Sequence, residues 1–276
     1  MLPSLVSTAW LKNHLNDPKL IILDASMSEN KSGPNSDIGN VRIPKARFFD
    51  LKNSFSDKNN SLPNMLPDEA SFTVACQNLG IDADSQIVVY DNLGIYSSPR
   101  VWWMFKTMGH DNVAVLDGGL PKWIKEDLPL EPDQDSNYTK GSFMAKFRPQ
   151  RVKNATDILR NIDKKEALII DARSSGRFRG TEPEPRADLK GGHVPGSLNL
   201  PFTAVLKDGQ FLPKEALRPL FEPFNIGEHP LVFTCGSGLT ACIVLLASEL
   251  VQKNPTAVYD GSWTEWGQLE NVPIAT

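Results

Sequence analysis

The chain has 276 residues, 40% hydrophobic and 22% charged, with a formal net charge of -4. This is the composition of an ordinary soluble globular protein, long enough for two domains that each bury a core, and its acidic balance argues against nucleic acid or an anionic membrane as main partner. No apolar stretch approaches the roughly 20 residues of a membrane span, and the N-terminus lacks the basic-then-apolar pattern of a signal peptide. Three scattered cysteines, Cys76, Cys235 and Cys242, suit neither a disulfide framework nor a zinc site, so a reducing cytoplasm is expected.

In chain order, Ser7-Thr-Ala-Trp-Leu-Lys-Asn-His-Leu opens with cap-type hydroxyls and reads as a first helix. Leu20-Ile-Ile-Leu-Asp24 follows as a short buried strand. Cys76 lies in the helical run Phe72-Thr-Val-Ala-Cys-Gln-Asn-Leu and is expected to fill core. Gln86-Ile-Val-Val-Tyr is a second strand, ending at Asp91, and Leu116-Asp-Gly-Gly-Leu-Pro-Lys-Trp123 closes the pattern. These features then recur at a spacing of roughly 145 residues. Ala155-Thr-Asp-Ile-Leu-Arg repeats the opening helix, again with cap-type hydroxyls, and Leu168-Ile-Ile-Asp171 the first strand. Gly192-His-Val-Pro195 matches Val41-Arg-Ile-Pro44. Pro230-Leu-Val-Phe-Thr-Cys235 matches the second strand, and Tyr259-Asp-Gly-Ser-Trp-Thr-Glu-Trp266 the closing motif. Two copies of one α/β unit are therefore expected, over 1–135 and 154–276, each a mainly parallel sheet flanked by helices. A turn-rich but ordered linker over 136–153 joins them; the aromatics around it need somewhere to dock.

The copies differ where chemistry is expected. Cys235 opens the hexapeptide Cys235-Gly236-Ser237-Gly238-Leu239-Thr240, and an apolar helical run over 241–250, with Cys242 in its core, comes directly after. At such a strand-to-helix turn two glycines let successive N–H groups curl into an anion-binding nest, beside the positive end of the helix. A helix terminus contributes about 0.3–1 kcal/mol. Hydrogen bonds to a charged acceptor contribute ~1.5–3 kcal/mol each. Two or three loop amides then hold a thiolate nucleophile with no histidine partner. For a lone cysteine after a strand, burial in the core is the ordinary alternative; the glycine spacing and the closing hydroxyl favour the reactive reading. In the first copy Asp91 stands at the place of Cys235, and a carboxylate there would repel a second anion.

Together, Asp171-Ala-Arg-Ser, Gly191-Gly-His-Val-Pro-Gly196, the Cys235–Thr240 loop and Asp260-Gly-Ser-Trp-Thr-Glu-Trp266 resemble the two-domain rhodanese-type sulfurtransferases, in particular the 3-mercaptopyruvate sulfurtransferases. Ser98-Pro-Arg-Val-Trp-Trp103 and Asp117-Gly-Gly119 match as well. The resemblance implies two rhodanese-like domains, only the second of them catalytic, and a persulfide on Cys235 with no metal or organic cofactor. Implied partners are a small-molecule sulfur donor and, as acceptor, cyanide, a thiol or a protein dithiol such as a thioredoxin-like protein. By the same resemblance Arg177 and Arg186 bind the donor's carboxylate and ketone. A guanidinium offers paired donors to a carboxylate. Arg179 is placed against Glu182 or Glu184, and Arg173 in a structural ion pair with Asp171.

Ser237 either donates to the substrate or points an amide inward. Thr240 either bonds the thiolate or caps the next helix. His193 is expected to hold a turn, and Trp102, Trp103, Trp263 and Trp266 to pack. Thiosulfate-using relatives carry basic residues after the cysteine; here Gly236 and Ser237 are small and neutral, which favours mercaptopyruvate as donor. The resemblance has one departure. A His usually precedes the Met-Leu-Pro segment, but Asn64 stands there, and Lys52 replaces its aspartate partner with only Asp50 nearby, so no proton relay of that type is assigned. Thiosulfate:cyanide sulfurtransfer and a non-catalytic binding module are the rival readings. Cysteine phosphatase chemistry fails on Ala241, which stands where that loop needs arginine.

Overall fold

A computed structural model of the chain describes residues 1–27, 35–133, 137–186 and 188–276. It divides into two compact units. One comprises 1–59, 66–148 and 208–211; the other comprises 60–65, 149–207 and 212–276.

The first unit contains β1 (Leu5–Val6), α1 (Thr8–His14), β2 (Leu20–Asp24), β3 (Arg47–Phe48), α2 (Glu69–Asn78), β4 (Gln86–Tyr90), α3 (Ser98–Thr107), β5 (Val113–Leu116) and α4 (Gly119–Lys125). The five strands of its main sheet are all parallel, in the order β1-β5-β4-β2-β3. The apolar runs become strands buried on both faces, as a parallel sheet covered by helices demands. One face packs Leu11, Ile22, Val88, Leu116 and Trp123. Elsewhere in the unit Phe49, Phe55, Phe72, Phe105 and Phe143 form a ring cluster, Phe49 stacked on Phe55 and the other pairs tilted or edge to face. Phe143 brings the expected linker's aromatic into that cluster, its backbone bonded to Ile81 and Gln77. Cys76 is fully buried here, and burial pushes its thiol well up, as befits a core residue.

The second unit contains β6 (Val152–Lys153), α5 (Ala155–Lys164), β7 (Leu168–Asp171), α6 (Ser175–Phe178), β8 (Leu198–Asn199), α7 (Lys214–Phe221), β9 (Leu231–Thr234), α8 (Ala241–Val251), β10 (Thr256–Tyr259) and α9 (Ser262–Trp266). The five strands of its main sheet are again parallel, in the order β6-β10-β9-β7-β8, so the two main sheets have the same topology. Central β9 pairs Leu231 with Leu168 on one side and Thr256 on the other. α8 is buried from Ala241 to Ser248, which explains why it is apolar all round. Trp263 and Trp266 pack with Ile158, Val232 and Tyr259, and Trp102 and Trp103 are fully buried in α3, so all four tryptophans do pack.

Ser7 caps α1 by accepting from Trp10 N. The second opening helix differs from expectation: α5 is capped by Asn154, in a reciprocal box with Asp157, because the amide one residue before Ala155 already occupies the cap position. Among the described residues no helix is long and apolar enough to cross a membrane.

Candidate active site

In an open parallel sheet, loops at the carboxyl ends of the strands are where ligands are met. Cys235 is the first residue beyond β9 and is 1% exposed. Its backbone is gripped by the start of α9. Cys235 N donates to Ser262 Oγ at 3.2 Å, and Trp263 N donates to Cys235 O at 2.9 Å. Gly236 O accepts twice, from Thr264 N at 2.8 Å and Thr264 Oγ1 at 2.6 Å. In a trans peptide the next N–H points opposite to the carbonyl. With both carbonyls turned to α9, the amides of Gly236 and Ser237 are directed to the other side of the loop, as an anion nest requires. Gly238 holds φ at +74°, its carbonyl accepts from Cys242 Sγ at 3.4 Å, and Leu239 is buried beneath the loop. Cys242 thus fills core and also braces the turn. Thr240 makes no capping bond through its side chain, so the capping alternative is not met.

The arginines gather at the same loop. A Cβ on Gly236 would lie 3.0 Å from Arg177 Nη2, which places that guanidinium against the residue after the cysteine. Arg177 is held by Glu184, through Nη2 at 2.6 Å and Nε at 3.2 Å. Arg186 donates from Nη1 to Thr264 Oγ1, the same hydroxyl that bonds Gly236 O. Ser237 Oγ accepts from Asn64 Nδ2 at 3.2 Å, and Asn64, at φ +59°, belongs to the second unit through the segment 60–65.

Arg173 is fully buried. It chelates Asp171 at 2.7–3.2 Å, takes Glu184 at 2.8 Å and lies over the Trp263 ring at 4.2 Å. That is the expected structural ion pair. The expected Arg179 pairing is corrected: Glu184 serves Arg173 and Arg177, and Glu182 accepts from Ser174 Oγ. Arg179 follows the one-turn helix α6 on its exposed side, whereas Arg177 lies a half-turn earlier and faces inward. His193 stacks on Phe178 at 3.7 Å, bonds its carbonyl through Nδ1 and pairs with Ala275, which is the turn-holding role expected of it.

The first unit answers the question of its missing cysteine. Asp91 stands just beyond β4, and its own carboxylate accepts from Leu93 N, Tyr96 N, Ser98 N and Ser98 Oγ at 2.6–3.0 Å. The loop still gathers amides round an anion, but the anion is internal. The grip from the following helix is also thinner. Leu120 N donates to Asp91 O, as Trp263 N does to Cys235 O, yet Pro121 stands where Thr264 would be and has neither N–H nor hydroxyl. Gly119 and Ser262 match even in backbone, at φ +51° and +49°.

The rhodanese-like domain pattern matches residues 7–126 and again 154–269. The chain belongs to the rhodanese family. Over 98% of its length this rhodanese is 38% identical to the 3-mercaptopyruvate sulfurtransferase of Escherichia coli K12, covering 96% of that protein. It is 40% identical, over 98% of this chain and 85% of the other, to the protein named thiosulfate/3-mercaptopyruvate sulfurtransferase 2 of Arabidopsis thaliana. The crystal structure of SseA from Escherichia coli, titled for the rhodanese fold of 3-mercaptopyruvate sulfotransferases, superposes with a TM-score of 0.82 at 36% identity, covering 95% of this chain and 99% of that one. This rhodanese is a sulfurtransferase, and both α/β units take the fold its sequence implied.

In the Asp260–Trp266 motif the sequence marks the tryptophans as packing residues, and the motif itself gives no sign of what the hydroxyls between them do. Ser262 and Thr264 hold the loop, and the one available signal was the repeat, which sets them against Gly119 and Pro121. Glu184, one of the two partners expected for Arg179, anchors Arg177 instead. Asn64, which stands where the resembled family has histidine, reaches Ser237 with its amide.

Proposed function

We propose that this rhodanese takes sulfur from 3-mercaptopyruvate onto Cys235 and passes it to a thiol, a protein dithiol or cyanide, releasing pyruvate. The observation that carries the reading is the pairing of a small, neutral loop after the cysteine with one guanidinium against it, Arg177 at Gly236. A donor carboxylate matches the paired N–H groups of Arg177 and Arg186. A basic side chain at 236, suited to a dianion, would meet Arg177 directly. The relative from Escherichia coli supports the same donor over nearly its full length.

In the first step the Cys235 thiolate attacks the donor's sulfur and forms the S–S bond while the C–S bond breaks. The electron pair leaves with carbon as the pyruvate enolate, which takes a proton to become pyruvate. The outer sulfur stays as a persulfide, its charge received by the amides of Gly236 and Ser237. In the second step the acceptor attacks the outer sulfur and Cys235 departs as thiolate, a ping-pong cycle. Asn64 carries an amide, which does not ionise near neutral pH and so serves as neither general acid nor general base; it orients Ser237 without relaying a proton.

The test is intact mass after mercaptopyruvate treatment, expected to show one added sulfur on the peptide containing Cys235, with pyruvate release abolished in Cys235→Ser. Retained turnover in that variant overturns the assignment. The Arabidopsis relative is named for two donors, so specificity constants for thiosulfate and mercaptopyruvate are compared; an equal or higher value for thiosulfate replaces the donor proposed here.

A further inference from the structure

We infer that Thr264 is a positioning residue which ties the donor-binding Arg186 to the peptide carrying the sulfur. The inference rests on the donor reading above and adds to it a residue with no part in substrate contact.

A threonine hydroxyl has one proton and two lone pairs. At Thr264, which is 3% exposed, the proton goes to Gly236 O at 2.6 Å and a lone pair receives Arg186 Nη1. The Gly236 carbonyl has both lone pairs engaged, by Thr264 N and Thr264 Oγ1. One side chain therefore fixes the aim of a guanidinium and the plane of the Gly236–Ser237 peptide. That plane sets where the Ser237 amide points. A cation donating into the hydroxyl polarises it and strengthens its own donation to the carbonyl. The carbonyl is thereby held away from the sulfur's side of the loop, where its negative end would oppose a thiolate.

The duplicated unit serves as an internal control. There Leu120 N repeats the bond from α9 to the residue at the strand end, and Gly119 repeats the left-handed backbone of Ser262. Two hydroxyl contacts are absent there: Gly119 lacks the Ser262 hydroxyl that meets the strand-end amide, and Pro121 in the place of Thr264 leaves the next carbonyl without its brace, which that loop does not need since Asp91 already fills it. A purely packing role for Thr264 would be served by any side chain of its volume. The two hydrogen bonds are what valine lacks and serine keeps.

The experiment compares Thr264→Val, Thr264→Ser and Thr264→Ala with wild type by three measurements: KM and kcat for pyruvate release from mercaptopyruvate, the rate of Cys235 alkylation by iodoacetamide at one mildly acidic pH, and thermal midpoint. Thr264→Val is expected to raise KM about tenfold and to slow alkylation several-fold, with Thr264→Ser within about twofold of wild type on both. In an Arg186→Met background the effect of Thr264→Val on KM should vanish while its effect on alkylation persists. Thr264→Val matching wild type in both measurements overturns the inference, as does Thr264→Ser falling as far as valine. If the valine variant does not fold, alanine takes its place against serine with the same criteria. Failure of wild type to release pyruvate would sink the donor reading alone, and the alkylation comparison would still judge Thr264.

Discussion

A carboxylate with 1% of its side chain exposed and two guanidiniums on it, as Glu184 has, is a demanding arrangement at the scale of single residues. Arg173 is neutralised by Asp171 as well, so the buried group reads Asp171–Arg173–Glu184–Arg177, with Arg177 the member that reaches toward the loop. Breaking such a pair leaves charge buried without compensation, at a cost of about 3–5 kcal/mol. Glu184→Gln keeps the shape and removes the charge. It is expected to lower the unfolding free energy by about 3 kcal/mol in urea titration and to raise KM for the donor, since Arg177 loses its anchor. A loss below about 1 kcal/mol would show that the network is wetter and weaker than this geometry implies. Of this network only the Asp171–Arg173 pair was legible from the sequence. Arg177, Arg179, Glu182 and Glu184 sit within eight positions, and a loop punctuated by Gly and Pro gives no periodicity from which to decide which of them turn inward.

At the scale of elements, the strands and long helices were legible because burial on both faces writes itself as continuous apolar runs, as in Leu231–Thr234 and Ala241–Ser248. Two-residue edge strands such as Arg47–Phe48 and Leu198–Asn199 were not, since two positions carry no period. The turn between β9 and α8 was legible through its glycines, and Gly238 is the one whose backbone demands it. At φ +74° a side chain costs about 1–2 kcal/mol, and the carbonyl that Cys242 braces is part of the same peptide. Gly238→Ala is therefore expected to reduce stability by about 1 kcal/mol and to slow alkylation of Cys235 at fixed pH, because relaxing the strain turns the loop amides. Loss of stability with an unchanged alkylation rate would separate the turn from the nest and contradict this account. The clamp from α9 stayed hidden for a different reason. Its bonds link residues 27 and 28 positions apart, and hydroxyl-to-carbonyl contacts leave no compositional trace.

At the scale of the whole chain, the duplication was the most legible fact, and it predicted the shared strand order of the two units before any contact was known. What it did not predict is which groups of the first unit burial would shift. Among the first unit's groups that burial moves from their ordinary values, Asp24 and the partly buried Asp117 are raised and His110 is lowered. The signs oppose one another. A raised carboxylate takes up its proton more readily folded than unfolded, so acidification relieves a cost as pH falls through the folded value toward 3.8. A lowered histidine does the reverse. Below its ordinary 6.5 the unfolded chain gains a proton that the folded chain refuses, so stability present above 6.5 is lost as pH falls toward the folded value. His110 lies against Phe105 and Phe143, with Nε2 3.0 Å from Ser85 O, a site with little room for a hydrated imidazolium. His110→Gln keeps a donor for that carbonyl and cannot titrate. Urea unfolding of wild type should therefore lose stability between about pH 7.5 and 5.5, and His110→Gln should lose distinctly less over the same interval. Parallel pH dependence in the two proteins would place the acid-sensitive group elsewhere and remove His110 from the explanation.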